Sequence, residues 1–185
     1  MSNREDLSQH FIKMLKTGQI KIEKNGRILS EGVQMILFPA ITLAKLYKDV
    51  DPKILYKIGL YQAEKAIKLH SRYFGLVPIR AAMKFYKGIL DNVVDFMIKS
   101  WSVDGWGKII IEKFDKKKRE MILTNYVNPV ANCYIKEFGK AKKPIDHYFV
   151  GLFEGVIRYV LRSAVCKEIK CIACGDPACV FVIKW

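Results

Sequence analysis

A chain of 185 residues, 51% hydrophobic and 12% aromatic, has the material for one globular domain with a proper core and falls outside the disordered class. Its net charge of +14 is spread over every segment, with Lys116-Lys117-Lys118-Arg119 the one clear run. Charge so distributed argues for solubility and non-specific association, and against specific nucleic-acid recognition. No apolar run reaches the roughly 18–20 residues of a membrane span, and the polar start Met1-Ser2-Asn3-Arg4 lacks an apolar signal core, so a cytoplasmic location with no membrane partner is expected.

Residues 4–16 read as a short amphipathic helix, with Leu7, Phe11, Met14 and Leu15 at helical spacing. It belongs to an N-terminal helical extension, 1–18, of a single domain spanning 1–185. Alternation on both sides of Asn25-Gly26 predicts a β-hairpin over 20–30. Residues 33–48 are apolar and helical from Pro39 onward, since proline is tolerated in a first turn. Asp51-Pro52 opens a helix running to about His70, with Ile54, Leu55, Ile58, Ala63, Ala66 and Ile67 as its expected buried face. Another amphipathic helix is expected over 78–99. After Gly105-Trp106-Gly107 the period changes, and 108–114 and 119–126 pair as strands around the basic tip. Asn128-Pro129 starts a helix to about Phe138, a basic loop ends at Pro144, and 146–162 form the last helix. Gly151 and Gly155 in that helix permit a close neighbour. Two strands near 165–170 and 179–184 finish an α+β fold: helices packed on an antiparallel sheet, with an N-terminal and a C-terminal β-hairpin.

Four of the five cysteines, Cys166, Cys171, Cys174 and Cys179, fall in the second of these hairpins, around the turn Gly175-Asp176-Pro177. In a cytosolic-looking chain such thiols favour metal binding or reactive chemistry over disulfides. The turn brings Cys171 toward Cys179, with Glu168 just upstream, which makes a plausible tetrahedral metal site. Strand alternation, however, sends residues 168 and 171 to opposite faces unless the chain bends between them. Cys171-x-x-Cys174 is also the spacing of a redox pair, but such pairs open a helix and this one lies in strand and turn. Cys179 follows too soon for a plant-type iron–sulfur arrangement. Cys133 and Cys166 sit on apolar faces and read as core.

In this order of elements the chain resembles the 4-vinyl reductase domain family from about residue 20 to 185. The resemblance is carried by Asn25-Gly26-Arg27-Ile28-Leu29, Ile58-Gly59-Leu60-Tyr61-Gln62-Ala63, Pro144-Ile145-Asp146-His147, Gly151-x-x-x-Gly155 and above all Glu168-x-x-Cys171-x7-Cys179. That family includes ligand-sensing domains of phenol- and xylene-responsive activators, free-standing archaeal proteins and a protein of bacteriochlorophyll biosynthesis. Its fold is shared with TRAPP trafficking subunits. The resemblance implies a structural zinc held by Glu168, Cys171 and Cys179. The family's upstream cysteine ligand falls at Asp146, which is a departure. Asp146 or the adjacent, softer His147 supplies the fourth bond, and Cys174 is an extra thiol able to replace Glu168 or Asp146. Asp146 equally suits the N-cap of the last helix.

Trp101, Trp106, Tyr86 and Phe85 are candidates for a hydrophobic ligand cavity, against the ordinary reading as core. No Ser-His-Asp grouping, phosphate-cradling loop or dinucleotide fingerprint is visible. The expectation is therefore a zinc-containing, small-molecule-binding regulatory domain without its own catalytic site, taking a hydrophobic ligand, forming a homodimer as in the sensing relatives and signalling to a separate effector protein. The alternatives are an accessory subunit or enzyme of tetrapyrrole or cofactor metabolism, and an interaction scaffold.

Overall fold

Alternating burial organises the C-terminal sheet. Along the last strand Cys179, Phe181 and Ile183 are buried while Val180 and Val182 are half-buried, so one face is committed to the interior. The computed structural model describes residues 7–30, 33–35, 37–73, 94, 98 and 101–185. Among these, helix α1 (Leu7–Lys16) leads into strands β1 (Ile20–Ile22), β2 (Ile28–Ser30) and β3 (Val33–Met35). Helices α2 (Ala40–Asp49) and α3 (Pro52–Tyr73) follow. After a π-helical turn at Ser102–Trp106 come β4 (Ile109–Asp115), β5 (Glu120–Asn125), α4 (Pro129–Phe138), α5 (His147–Leu161), β6 (Val165–Lys170) and β7 (Cys179–Lys184). The helix expected over 78–99 lies outside the described residues, apart from two buried positions, Val94 and Ile98.

The fold is α+β with two antiparallel sheets. The small one has the order β1-β2-β3, so the predicted hairpin gains a third strand, Val33–Met35, from a stretch expected only to lead into a helix. A three-residue strand carries too little alternation to announce itself. Gly26 sits at φ +84° in the connecting turn, where the Asn25 side chain accepts from Arg27 N at 3.1 Å. The larger sheet runs β4-β5-β7-β6. Its basic tip, 116–119, is the exposed turn between β4 and β5.

Helix α5 lies on the buried face of this sheet. Phe149 and Phe153, one turn apart, stack at 5.3 Å, and Phe181 of β7 meets Phe153 edge-on at 5.0 Å. All three rings are at most 2% exposed, each worth roughly 1.5–3 kcal/mol of burial. Trp101 packs on Phe153 at 5.3 Å and borders a void of only about 10 Å³, so it is core and not the wall of a ligand cavity.

The opposite face of α5 takes α3. A Cβ added to Gly59 would fall 2.1 Å from Tyr148 O, and one added to Gly151 would fall 2.1 Å from Tyr56 O. The two backbones are therefore in direct contact, and only glycine fits at either point. The contact is fastened by the buried Glu154 of α5, which accepts from the Tyr56 hydroxyl, from Cys166 N at 2.9 Å and from Arg158 at 3.2 Å. A buried carboxylate costs little when so fully bonded.

Candidate metal centre and apolar pocket

Three segments converge under the C-terminal turn. The first is the start of α5. Asp146 stands at the N-cap position, yet its side chain makes no capping bond and is turned inward with no measurable exposure. The second is β6, whose pairing with β7 slips between Glu168 and Lys170. The extra residue, Ile169, is the bend that alternation demanded, and it lets Glu168 and Cys171 face the same side. The third is the turn itself. Cys171 O accepts from Cys174 N at 2.9 Å and from Asp176 N at 3.2 Å, Gly175 adopts φ +97°, and the Asp176 carboxylate accepts from Cys171 N at 2.8 Å. These bonds return the chain so that Cys179 opens β7 opposite Cys171.

The outcome is a group of four: one carboxylate oxygen each from Asp146 and Glu168, and the sulfurs of Cys171 and Cys179, all within 4.8 Å of one another. Cys171 and Cys179 are wholly buried. Among the described residues, His147 and Cys174 lie outside this group. His147 is only half-buried, and burial, followed by the charge of Lys143, lowers its pKa. Cys174 is half-buried beside the group, pushed up by desolvation and then by the charge on Cys171. Cys166 is buried core with its thiol raised by desolvation, and Cys133 packs partly buried against the core.

The electrostatics of the group fit a divalent cation. Desolvation, then the neighbouring Cys171, pushes Asp146 up to about 8. Desolvation, then Asp146, pushes Glu168 up to about 11. Cys179 donates to Cys171, which lowers the second thiol to about 6 and raises the first. Four acids so close cannot all ionise unless something positive sits among them. Two carboxylate oxygens, Asp146 Oδ1 and Glu168 Oε1, are buried with no hydrogen-bond partner, and a buried acceptor left that way is costly. Their partner oxygens are already engaged: Asp146 Oδ2 accepts from Asn128 at 2.6 Å, and Glu168 Oε2 accepts from Asp146 N at 2.9 Å. Tetrahedral zinc with two sulfur and two oxygen ligands places them roughly 3.4–3.8 Å apart, a small contraction of what is present.

Asn128 is a functional residue that sequence reasoning missed. Its Oδ1 caps α4 by accepting from Val130 N and Ala131 N at 3.0 Å, while its Nδ2 faces Asp146 and, at 3.6 Å, the Cys179 sulfur. Asn-Pro announces a helix start and nothing in it announces the second task. Replacing Asn128 with Ala is expected to lower the affinity of this group for a divalent cation about 10–100-fold, the range for lost supporting bonds, and to remove about 1 kcal/mol of capping. Competition with a chromophoric chelator would read the first and urea unfolding the second.

On the other side of α4 lies an apolar pocket of about 360 Å³ between α2, α3, the start of α5 and the π-helical turn. Leu43, Leu55, Ile58, Val130 and Trp106 form much of its wall. Trp106 is held there by a local device. Gly107 adopts φ +104°, a Cβ on it would fall 1.8 Å from Val127 O, and Asn125 donates to Trp106 O at 2.9 Å. The indole stacks on Tyr148 at 5.3 Å. Tyr86 and Phe85, the other aromatics suggested for such a cavity, lie outside the described residues. Tyr148 donates to Gln62 at 2.6 Å, whereas the Tyr47 hydroxyl, buried beside the metal group, has no partner. Among the described residues no helix is long and apolar enough to cross a membrane.

Comparison with known proteins places these features. The chain is similar over its whole length to the phenol-responsive sensory domain of the transcription activator PoxR, solved with phenol (TM-score 0.73, 14% identity, covering 100% of this chain and 91% of that one). It is also similar to trafficking protein particle complex subunit 3 from Naegleria fowleri, covalently bound to palmitic acid (TM-score 0.54, 17% identity, covering 78% of this chain and 93% of that one). At such identities these two show a shared fold. An uncharacterized protein of Methanocaldococcus jannaschii is 29% identical over 165 residues, 87% of this chain and 74% of its own length. Residues 127–185, which supply Asn128 and all four residues of the candidate metal group, match the family model of the V4R domain.

Proposed function

We propose that this protein is a small-molecule sensing module that binds an uncomplicated hydrophobic ligand in the α2–α3–α5 pocket. The observation that carries the reading is the pocket itself: about 360 Å³, walled by apolar and aromatic side chains with a few polar groups, in the usual range for small-ligand sites. The PoxR sensory domain, solved with phenol on the same fold, supports it.

In this reading the metal is zinc and its role is structural. Asp146, Glu168, Cys171 and Cys179 supply four protein ligands, which leaves no open position for a reacting water. The ion ties β6, the turn and β7 to the start of α5, one helical residue pair away from pocket residue Tyr148. Its binding energy contributes to folding. The module acts in the cytoplasm as a homodimer on a separate effector protein, and the exposed Leu37, Phe38, Ile54 and Tyr61 support an apolar interface.

Titration calorimetry with phenol, naphthalene and 1-decanol on the zinc-loaded protein tests the reading. Saturable one-to-one binding of at least one is expected, with a species of twice 21.3 kDa in sedimentation equilibrium. Ala40→Phe, which fills the pocket from the first turn of α2, is expected to weaken that binding at least about tenfold with little change in melting. Absence of saturable binding across the panel, or binding indifferent to the filled pocket, would sink the proposal.

A further inference from the structure

Among the described residues the apolar pocket carries a single formal charge, and it is negative. Asp104 stands in the π-helical turn at its edge, and no described lysine or arginine lines the wall of a pocket whose chain has 32 of them. The backbone around this acid is fixed by local devices. Gly105 and Gly107 adopt φ +89° and +104° on either side of Trp106, a left-handed region that glycine enters freely. Asn125 holds the Trp106 carbonyl at 2.9 Å, and the close approach of Gly107 to Val127 O leaves no room for a side chain. The turn so held offers a carboxylate and an indole, two residues apart, to the same pocket.

This carboxylate lacks a counter-ion. Its residue reaches solvent, yet the wall crowds the acid enough for desolvation to raise it to about 6, with no neighbouring cation to bring it down. At neutral pH it is still mostly ionised. A charge partly removed from water gains from a charge-assisted partner, and the fold supplies none among the described residues. Trp106 adds a second attraction, because an indole face draws cations more strongly than the other aromatic side chains do. A carboxylate entering here would meet like charge, and a plain hydrocarbon would leave Asp104 unpaired.

We propose that the pocket takes apolar amines in their protonated form, with the ammonium group on the Asp104 carboxylate and the Trp106 indole and the hydrocarbon body along Leu43, Leu55, Ile58 and Val130. The proposal rests on the ligand-binding reading above and adds the head group of the ligand. The volume of about 360 Å³ suits a two-ring or medium-chain body, being more than twice a cavity of about 150 Å³ that holds benzene. The net charge of +14 works the other way, since the field of the whole chain favours anions. A preference for the amine must therefore be local.

The test titrates 1-naphthylmethylamine, its neutral counterpart 1-naphthalenemethanol and 1-naphthoate into full-length wild type, Asp104→Asn and Asp104→Glu at neutral pH. Wild type is expected to bind the amine about tenfold more tightly than the alcohol, the size of one charge-assisted hydrogen bond, and the carboxylate most weakly. Added salt should reduce the advantage of the amine and leave the alcohol unaffected. In Asp104→Asn that advantage is expected to disappear with alcohol affinity and melting unchanged, and Asp104→Glu, which keeps the charge, should retain most of it. An amine that binds no better than the alcohol, or an advantage that survives Asp104→Asn, overturns the proposal and leaves the pocket standing. Amine binding indifferent to Ala40→Phe also overturns it, because the site would then lie elsewhere. If none of the three compounds binds, the ligand-binding reading falls and the amine preference falls with it.

Discussion

The Cys171→Ser/Cys179→Ser protein is expected to purify without zinc and to melt about 8–16 °C below the parent. The parent should carry about one zinc per chain. An ion held at a thousand times its dissociation constant adds about 4 kcal/mol to folding. For a chain of this size each kcal/mol corresponds to about 2–4 °C. The loss is expected to be large because, among the described residues, no lysine or arginine is seen to pair with Asp146 or Glu168, so a bound cation would supply the positive charge. Asp146 Oδ1 and Glu168 Oε1 are buried and unbonded, so without it they must hold protons or repel one another. Elemental analysis beside calorimetry checks the result. Cys133→Ser, Cys174→Ser and His147→Ala serve as controls and should keep the metal, since none of the three belongs to the group within 4.8 Å. A parent without metal, or one with iron and visible absorption, would reassign the turn to redox chemistry or plain core. Zinc retained by His147→Ala but lost by Asp146→Asn would place the fourth bond on the aspartate.

The legible and the illegible parts of this site differ for a physical reason. Glu168, Cys171 and Cys179 come from one local unit, strand, turn and strand, so spacing and turn chemistry place them together. Even there, the bulge at Ile169 was needed to reconcile Glu168 with Cys171, and a bulge has no compositional mark in this sequence. Choosing between Asp146 and His147 required knowing which way the first turn of α5 faces. That orientation is set by Phe149 and Phe153 seating on Phe181, a contact between residues far apart in the chain. Tyr47 and Asn128 reach the metal group and the pocket from α2 and α4, two elements whose own periodicity speaks only of burial. Their aromatic character likewise offered Trp101 and Trp106 together as candidates for a cavity wall, and packing separated them: one seals the core, the other covers the pocket. Charge was the least informative quantity, because the basic residues are a solvated surface that stops short of the pocket wall described here.

The second large effect concerns the α3–α5 contact, on which the pocket depends. Gly151→Ala is expected to destabilise the fold by about 3 kcal/mol, and Gly151→Val to abolish both cooperative melting at the parental temperature and ligand binding. The new Cβ would meet Tyr56 O at 2.1 Å, its carbonyl carbon at 2.9 Å and Leu60 N at 3.1 Å. All three are backbone atoms inside a helix, so no side-chain rotation relieves them and α3 must move away as a body. Overpacking of this kind costs typically 1–3 kcal/mol even where side chains can yield, which puts a rigid contact at the top of that range. Gly155→Ala makes the sharper comparison. Its Cβ meets the small Ala63 side chain at 2.6 Å, and the nearest backbone atom is 3.3 Å away, so a smaller shift relieves it and a smaller loss is expected. The order Gly151 above Gly155 in urea unfolding is the check, and equal losses would mean that the helices separate as one rigid pair. Leu55 and Ile58 on α3 face Tyr148 on α5 across the pocket, so moving α3 outward opens the cavity along its length. Metal binding is expected to remain in Gly151→Ala, because the group is built from β6, the turn, β7 and the N-cap residue of α5, away from the Gly151 contact. A variant that keeps its metal and loses its ligand would show that the two sites fold independently. One that loses both would show that α5 couples them, which is the arrangement a sensor needs to report an occupied pocket through the turn.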